Sequence, residues 1–185
     1  MYFAFLITLL TFHLSEWLFI YVYCRKELSW SSTLLSLPYV GAMLFATMEY
    51  VLRIYFLGKQ TKMEKYCRLV GTVLVILGEV IRKWGMFTLG SCFSHRIRTQ
   101  KETHHRLVTK GIYRWIRHPA YCGWFVWCIG TQVMLCNPIS CLLFTFLSWK
   151  FFQNRIALEE STLIGFYGCS YKEYQNKVWS GIPFL

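Results

Sequence analysis

"AYCGWFVWCIGTQVMLCNPISCLLFTFLSWKFF", residues 120–152, decides the architecture. The run is too long for a single crossing of a hydrocarbon core of about 30 Å at 1.5 Å rise per residue. Asn137-Pro138 divides it, because proline removes a helix donor and restricts the residue before it, so a tight helical hairpin follows. Working towards the N-terminus, Met1–Tyr23, Leu34–Leu57 and Tyr66–Leu89 are each long and apolar enough to span. The fold class is therefore all-α: a polytopic membrane protein of about five transmembrane helices, the last two forming a C-terminal hairpin. Residues 1–185 read as one domain, with 1–89 supplying three helices and 90–185 a functional region.

Composition agrees. Hydrophobic residues make up 55%, aromatics 19% and charged residues 16% of the chain, and mean hydropathy is +0.36, whereas a soluble domain devotes about 25% of its residues to charge. The net charge of +11 does not point to nucleic acid, because the basic residues lie between the apolar runs rather than along a soluble face. Sidedness follows from lysine and arginine. Residues 24–33 carry Arg25 and Lys26, the 90–118 loop runs basic from Arg96 to Arg117, and the tail after Phe152 adds Arg155, Lys172 and Lys177; these share one side, expected to be cytosolic. The 58–65 loop on the other side has only Lys59, Lys62 and Lys65. Met1–Tyr23 has no basic leader or clear cleavage site, so it reads as a span and not a removed signal.

All nine acidic residues are glutamates, which excludes aspartate-dependent mechanisms. The eight cysteines contain no CxxC pair, and Cys122, Cys128, Cys136 and Cys141 sit in or beside apolar runs, so no metal is expected. The tail from Ile156 to Val178 reads as an amphipathic helix broken near Gly165–Gly168.

Charges inside the spans ask for partners or a use. Glu49 and Arg53, four apart, are expected to pair along their helix, as are Glu79 and Lys83. His13 and Glu16 share a helix face and suggest an interhelical polar seam. Arg82, about 10 Å below its membrane surface, is left without a helical partner and reads as functional. At "GIYRWIRHPAYCGW", residues 111–124, Pro119 suits the first turn of a helix, so its free amides, with Arg117 and His118 beside them, favour an anion.

Together, "HHRLVTKGIYRWIRHPAYCGW" (104–124), "NPISCLLFTFLSWKFFQNRIALEESTLIGFYGCSYKEY" (137–174) and "GIPF" (181–184) resemble isoprenylcysteine carboxyl methyltransferases, part of a larger group of integral-membrane methyltransferases that includes phospholipid N-methyltransferases. The resemblance is dense over 70–185 and loose over the first two helices. It implies S-adenosyl-L-methionine as donor, S-adenosyl-L-homocysteine as product, and a cytosolic cofactor pocket built from the 90–118 loop, the hairpin entrance and the tail. By match to the family motif, His105, Leu107, Val108 and Tyr113 line the cofactor, His118, Pro119, Ala120 and Tyr121 complete the cradle, and Glu159 holds the donor's cationic end. Arg155 faces the substrate, with Arg82 as a further substrate and catalytic residue. The glutamine common in the family three residues after the histidine matched by His95 is Arg98 here, so that contact is not carried over.

The implied partners are prenylated CaaX proteins ending in farnesyl- or geranylgeranyl-cysteine, at an endoplasmic reticulum membrane. The residue types suit that chemistry. A C-terminal carboxylate, with a reference pKa of about 3.3–3.7, is already ionised, so methyl transfer needs no general base, and guanidinium groups hold a carboxylate well. Alignment of the reactants can supply about 7–11 kcal/mol. The alternatives are a phospholipid N-methyltransferase, whose protonated amine two arginines would repel, and a non-catalytic membrane scaffold.

Overall fold

A computed structural model describes residues 2–25, 28–58, 62–98, 100–101 and 106–185. Among them, five long helices carry the fold: α1 (Tyr2–Tyr23), α2 (Leu37–Leu57), α3 (Lys62–Leu89), α4 (Pro119–Leu135) and α5 (Pro138–Tyr167), followed by the short α6 (Cys169–Lys177). α1 and α2 are each long and apolar enough to cross a membrane. The described residues form no strand, only an isolated bridge between Ile116 and Trp179.

The expected hairpin forms where Asn137-Pro138 stands. α4 ends with Cys136 in the left-handed region (φ 62°), while the Cys136 amide donates to the Val133 carbonyl at 2.9 Å and the Asn137 amide to Gln132 at 3.0 Å. This is the two-bond closure that satisfies the last carbonyls of a helix. Pro138 then opens α5, and the Asn137 side chain donates to the Ala46 carbonyl of α2 at 2.8 Å.

Glu49 and Arg53 do not pair with each other. Glu49 accepts the amides of Ile139 and Ser140 at 2.8 and 2.7 Å, which are free donors at the start of α5. Arg53 donates to the Leu135 carbonyl at the end of α4, at 3.0 Å, and pairs with Glu64. The reason is the helix ends: an acid at an N-terminus and a base at a C-terminus each meet orphan backbone groups and the favourable end of a macrodipole. α2 thus clamps the hairpin tip with both charges.

α3 and α4 pack backbone to backbone. Gly78 faces Gly123, where an added Cβ would lie 2.6 Å from the Gly123 carbonyl oxygen, while Gly71 faces Met134, Gly85 faces Pro119 and Gly130 faces Leu74 and Val75. Small residues at such a crossing let helices approach where the hydrophobic effect offers no drive between them. α1 closes the core, with Phe12 stacked on Trp127 at 4.2 Å in a cluster that includes Phe5, Ala46, Val75, Leu135 and Phe144.

At the opposite end, the loop after α3 meets the tail, as the charge pattern requires. Lys101 donates to the Phe166 carbonyl at 2.9 Å. The helix break falls at Gly168 (φ 57°), so α5 runs well past Phe152 before α6 begins. The final segment returns to the start of α4: the Arg117 and His118 amides donate to the Trp179 and Ser180 carbonyls at 2.8 and 3.0 Å, and Ile182 is buried against Phe125, Phe152 and Ile156.

Candidate active site

Two cavities lie side by side at this end. The first, about 170 Å³, is charged: Arg98, Arg106, His118 and Glu159 line it with Leu107, Val108, Tyr113 and Tyr121. The second, about 480 Å³, is apolar, walled by Tyr39, Trp124, Phe144, Leu147, Phe151 and Phe152, with Arg82, His95 and Arg155 as its charged or titratable lining. Phe93, Ser94, Ala120 and Tyr121 border both.

The residues expected to cradle a cofactor therefore gather in one place. Leu107, Val108, Tyr113, His118, Ala120, Tyr121 and Glu159 all line the charged cavity. His105 lies outside the described residues. Pro119 does not line the cavity; it is the first residue of α4 and packs against α3, where a Cβ on Gly85 would meet its ring at 2.8 Å. Its contribution is to start the helix at this level.

The two adjacent glutamates diverge. Glu160 is buried and accepts from Arg117 Nε at 2.8 Å, His118 Nε2 at 3.0 Å, Tyr171 at 3.3 Å and Gln175 at 2.6 Å. Burial alone would raise its carboxyl, but the hydrogen bonds and charges of His118 and then Arg117 outweigh it and hold it at about 2. Arg117 also donates to the Gln175 carbonyl at 3.1 Å and to that of Val178. This corrects the expectation that Arg117 and His118 stand ready for an external anion: the carboxylate beside the α4 start is the chain's own Glu160. Glu159 behaves otherwise. Its Oε2 is buried without a hydrogen-bond partner, and His118 Nδ1 stands 3.6 Å away. Burial first, and then the charge of Glu159, push the Tyr113 phenol well above its ordinary range, so it remains a neutral donor.

Arg82 requires the second correction. It is buried and fully partnered across the helices, with Nε and Nη2 each 2.8 Å from Glu16 of α1 and Nη1 2.7 Å from the Ala120 carbonyl. Its partner lies on another helix, so spacing within α3 hides it. Lys83 also binds Glu16, with Glu79 3.9 Å away, and His95 Nε2 reaches Glu16 at 2.8 Å. The polar seam expected at His13 and Glu16 thus exists; His13 itself contacts the Thr33 carbonyl at 2.7 Å and Tyr39 at 2.8 Å. Sequence reasoning missed Glu16 as the hub and His95 as cavity lining; an acidic residue amid an apolar run was the available signal.

Arg155 enters the apolar cavity from α5. Its Nε donates to the Tyr121 hydroxyl at 2.9 Å, Nη2 donates to the His95 carbonyl, and the guanidinium lies 5.4 Å from the Tyr121 ring centre.

A charged pocket abutting an apolar one at the end of a helical bundle can bring a polar group donor to the head of a lipid-like acceptor. Comparison with known proteins agrees. The sequence model of the isoprenylcysteine carboxyl methyltransferase family matches residues 70–165. The chain is 42% identical over 181 residues to protein-S-isoprenylcysteine O-methyltransferase A of Arabidopsis thaliana, covering 97% of this chain and 91% of that one. It is 44% identical over 176 residues to the Homo sapiens protein-S-isoprenylcysteine O-methyltransferase, covering 94% of this chain and 62% of that one. A solved structure of a eukaryotic intramembrane Ras methyltransferase superposes with a TM-score of 0.92 at 39% identity, over 98% of this chain and 65% of that chain. The all-helical fold is that of a membrane protein, and the chain belongs to the isoprenylcysteine carboxyl methyltransferase family.

Proposed function

We propose that this protein methylates the C-terminal carboxylate of isoprenylated cysteine, with S-adenosyl-L-methionine in the charged cavity and the prenyl chain in the apolar one. The observation that carries this reading is the shared wall: Ala120 and Tyr121 border both cavities, so a donor on one side and an acceptor on the other meet there. The residues fit the donor. The partnerless Oε2 of Glu159 suits an ammonium or sulfonium, and Arg98 and Arg106 in the same cavity suit the donor's carboxylate. At about 170 Å³ the cavity is smaller than the roughly 300–1,000 Å³ of most ligand pockets.

When bound, the donor supplies an electrophilic methyl on a cationic sulfur. The chain's residues hold and align. Glu159 fixes the donor's cationic end, Tyr113 and His118 frame it, and Arg155 holds the acceptor carboxylate with the field of Arg82 behind it. No side chain removes a proton. The apolar walls exclude water, which strengthens each of these contacts. The acceptors are prenylated CaaX proteins at an endoplasmic reticulum membrane, with the charged cavity facing the cytosol, and the five long helices each cross or enter the bilayer.

The test offers the purified protein labelled S-adenosyl-L-methionine with N-acetyl-S-farnesylcysteine and, separately, with phospholipid vesicles. Label in the prenylcysteine as a base-labile ester is expected; label in the lipid headgroup alone would make the acceptor an amine, and no binding of the donor would leave a non-catalytic membrane protein.

A further inference from the structure

A closed ring of hydrogen bonds joins α1, α3, α4 and α5 beside the wall that the two cavities share. Glu16 of α1 accepts from Arg82 of α3 at 2.8 Å through both Nε and Nη2, and Arg82 Nη1 donates to the Ala120 carbonyl at 2.7 Å. Tyr121, the next residue of α4, accepts at its hydroxyl from Arg155 Nε of α5 at 2.9 Å. Arg155 Nη2 donates to the His95 carbonyl, and His95 Nε2 returns to Glu16 at 2.8 Å. A carboxylate only accepts, so the imidazole donates there. His95 is the link that the loop after α3 supplies, and it works at both ends: its side chain is fixed to a fully buried carboxylate and its main-chain carbonyl fixes a guanidinium. The Phe93 ring stands edge-on to the imidazole at 5.2 Å, and the loop has a separate tether there, the Phe93 carbonyl accepting from Cys24 Sγ at 3.2 Å.

We infer that His95 is a positioning residue for methyl transfer: by tying the loop to Glu16, it holds Arg155 in the plane that grips the acceptor carboxylate. The inference rests on the reading of the apolar cavity as the acceptor site. A guanidinium binds a carboxylate through parallel N–H groups, so its plane decides the fit. The bond from Nε alone leaves that plane free to swing about the Tyr121 contact; the bond to the His95 carbonyl stops it. Of the five N–H donors of an arginine these bonds use two, and the others remain for the acceptor. The carbonyl can serve only while its own residue is held, and the bond from the imidazole to Glu16 holds it. Without the imidazole, Glu16 keeps Arg82 and Lys83, so the buried carboxylate stays neutralised and the bundle intact.

Glutamine carries its amide nitrogen as far along the side chain as Nε2, whereas asparagine stops at the level of Nδ1 and falls short of Glu16. His95→Gln and His95→Asn are therefore compared with the unaltered full chain in detergent micelles. The readouts are steady-state methylation of N-acetyl-S-farnesylcysteine at saturating S-adenosyl-L-methionine, calorimetry with S-adenosyl-L-homocysteine, and thermal unfolding. His95→Asn is expected to lose about ten- to a hundredfold in kcat, the cost of a reactant misplaced by about 1 Å. Its KM for the prenylcysteine is expected to change by less than about threefold, because the buried prenyl chain supplies most of the affinity. His95→Gln is expected to recover kcat to within about threefold of the unaltered protein. Both variants are expected to bind S-adenosyl-L-homocysteine and to unfold as the unaltered protein does. Unchanged kcat in His95→Asn would overturn the inference, as would a kcat in His95→Gln equally low, which would show the imidazole acting other than through Glu16. A loss of kcat in His95→Asn that comes with lost S-adenosyl-L-homocysteine binding or a lowered unfolding midpoint would also overturn it, making His95 a support of the fold. An unaltered protein that binds S-adenosyl-L-homocysteine yet methylates no prenylcysteine would instead remove the acceptor reading beneath it.

Discussion

At the scale of single residues, two neighbouring carboxylates have opposite fates because successive side chains on a helix point about 100° apart. Glu160 faces the start of α4 and α6 and is held by four side chains. Glu159 faces the charged cavity with one oxygen unpartnered. A hydrogen bond to a charged group contributes about 1.5–3 kcal/mol, so Glu159→Ala is expected to weaken S-adenosyl-L-homocysteine binding about ten- to a hundredfold, as measured by calorimetry, with little change in thermal unfolding. An unfolding midpoint that falls while affinity holds would mean that Glu159 serves the fold. The Glu-Glu pair was legible in the sequence; which of the two is held by neighbouring side chains was not, because the partners of Glu160 come from segments up to 43 positions away.

Among the elements, the hairpin was the most readable feature, since asparagine followed by proline inside a long apolar run has few other outcomes. How α4 closes was not readable. Cys136 adopts the left-handed conformation, which costs a non-glycine residue about 1–2 kcal/mol. Cys136→Gly is therefore expected to stabilise the protein by about 0.5–1 kcal/mol after glycine's larger unfolded-state entropy is counted, seen as a rise of about 1–4 °C in the unfolding midpoint. A fall would show that the Cys136 side chain contributes more packing than its backbone costs. The glycine seam between α3 and α4 was present as a seven-residue spacing of Gly71, Gly78 and Gly85, with Gly123 and Gly130 to match. The assignment of Glu49 to Arg53 failed for a specific reason: a charge near a helix end competes between a side chain one turn away and backbone groups with no other partner, and only the placement of α2 beside the hairpin tip decides that competition.

For the whole molecule, the decisive feature is Glu16. One buried carboxylate of α1 holds Arg82 and Lys83 of α3 together with His95 of the loop that borders both cavities. Removing one side of a buried pair costs about 3–5 kcal/mol, whereas replacing both by apolar groups of similar size is often neutral. Arg82→Met alone is thus expected to lower stability sharply, and the double variant Glu16→Leu, Arg82→Met to recover most of it, Lys83 keeping Glu79 nearby. Steady-state kinetics on the double variant then tell packing from function: lost turnover with donor affinity intact is expected if Arg82 supports the acceptor carboxylate, and normal turnover would make the pair purely structural.

The sequence by itself determined the helical class, the hairpin, the meeting of loop and tail at one end, and the family, because apolar length, proline and local motifs are properties of contiguous chain. Only the tertiary structure decided which charges neutralise one another and which carboxylate stays free. Those outcomes depend on helices far apart in sequence coming within hydrogen-bonding distance, and in an apolar interior each buried charge settles on whatever partner the packing brings nearest.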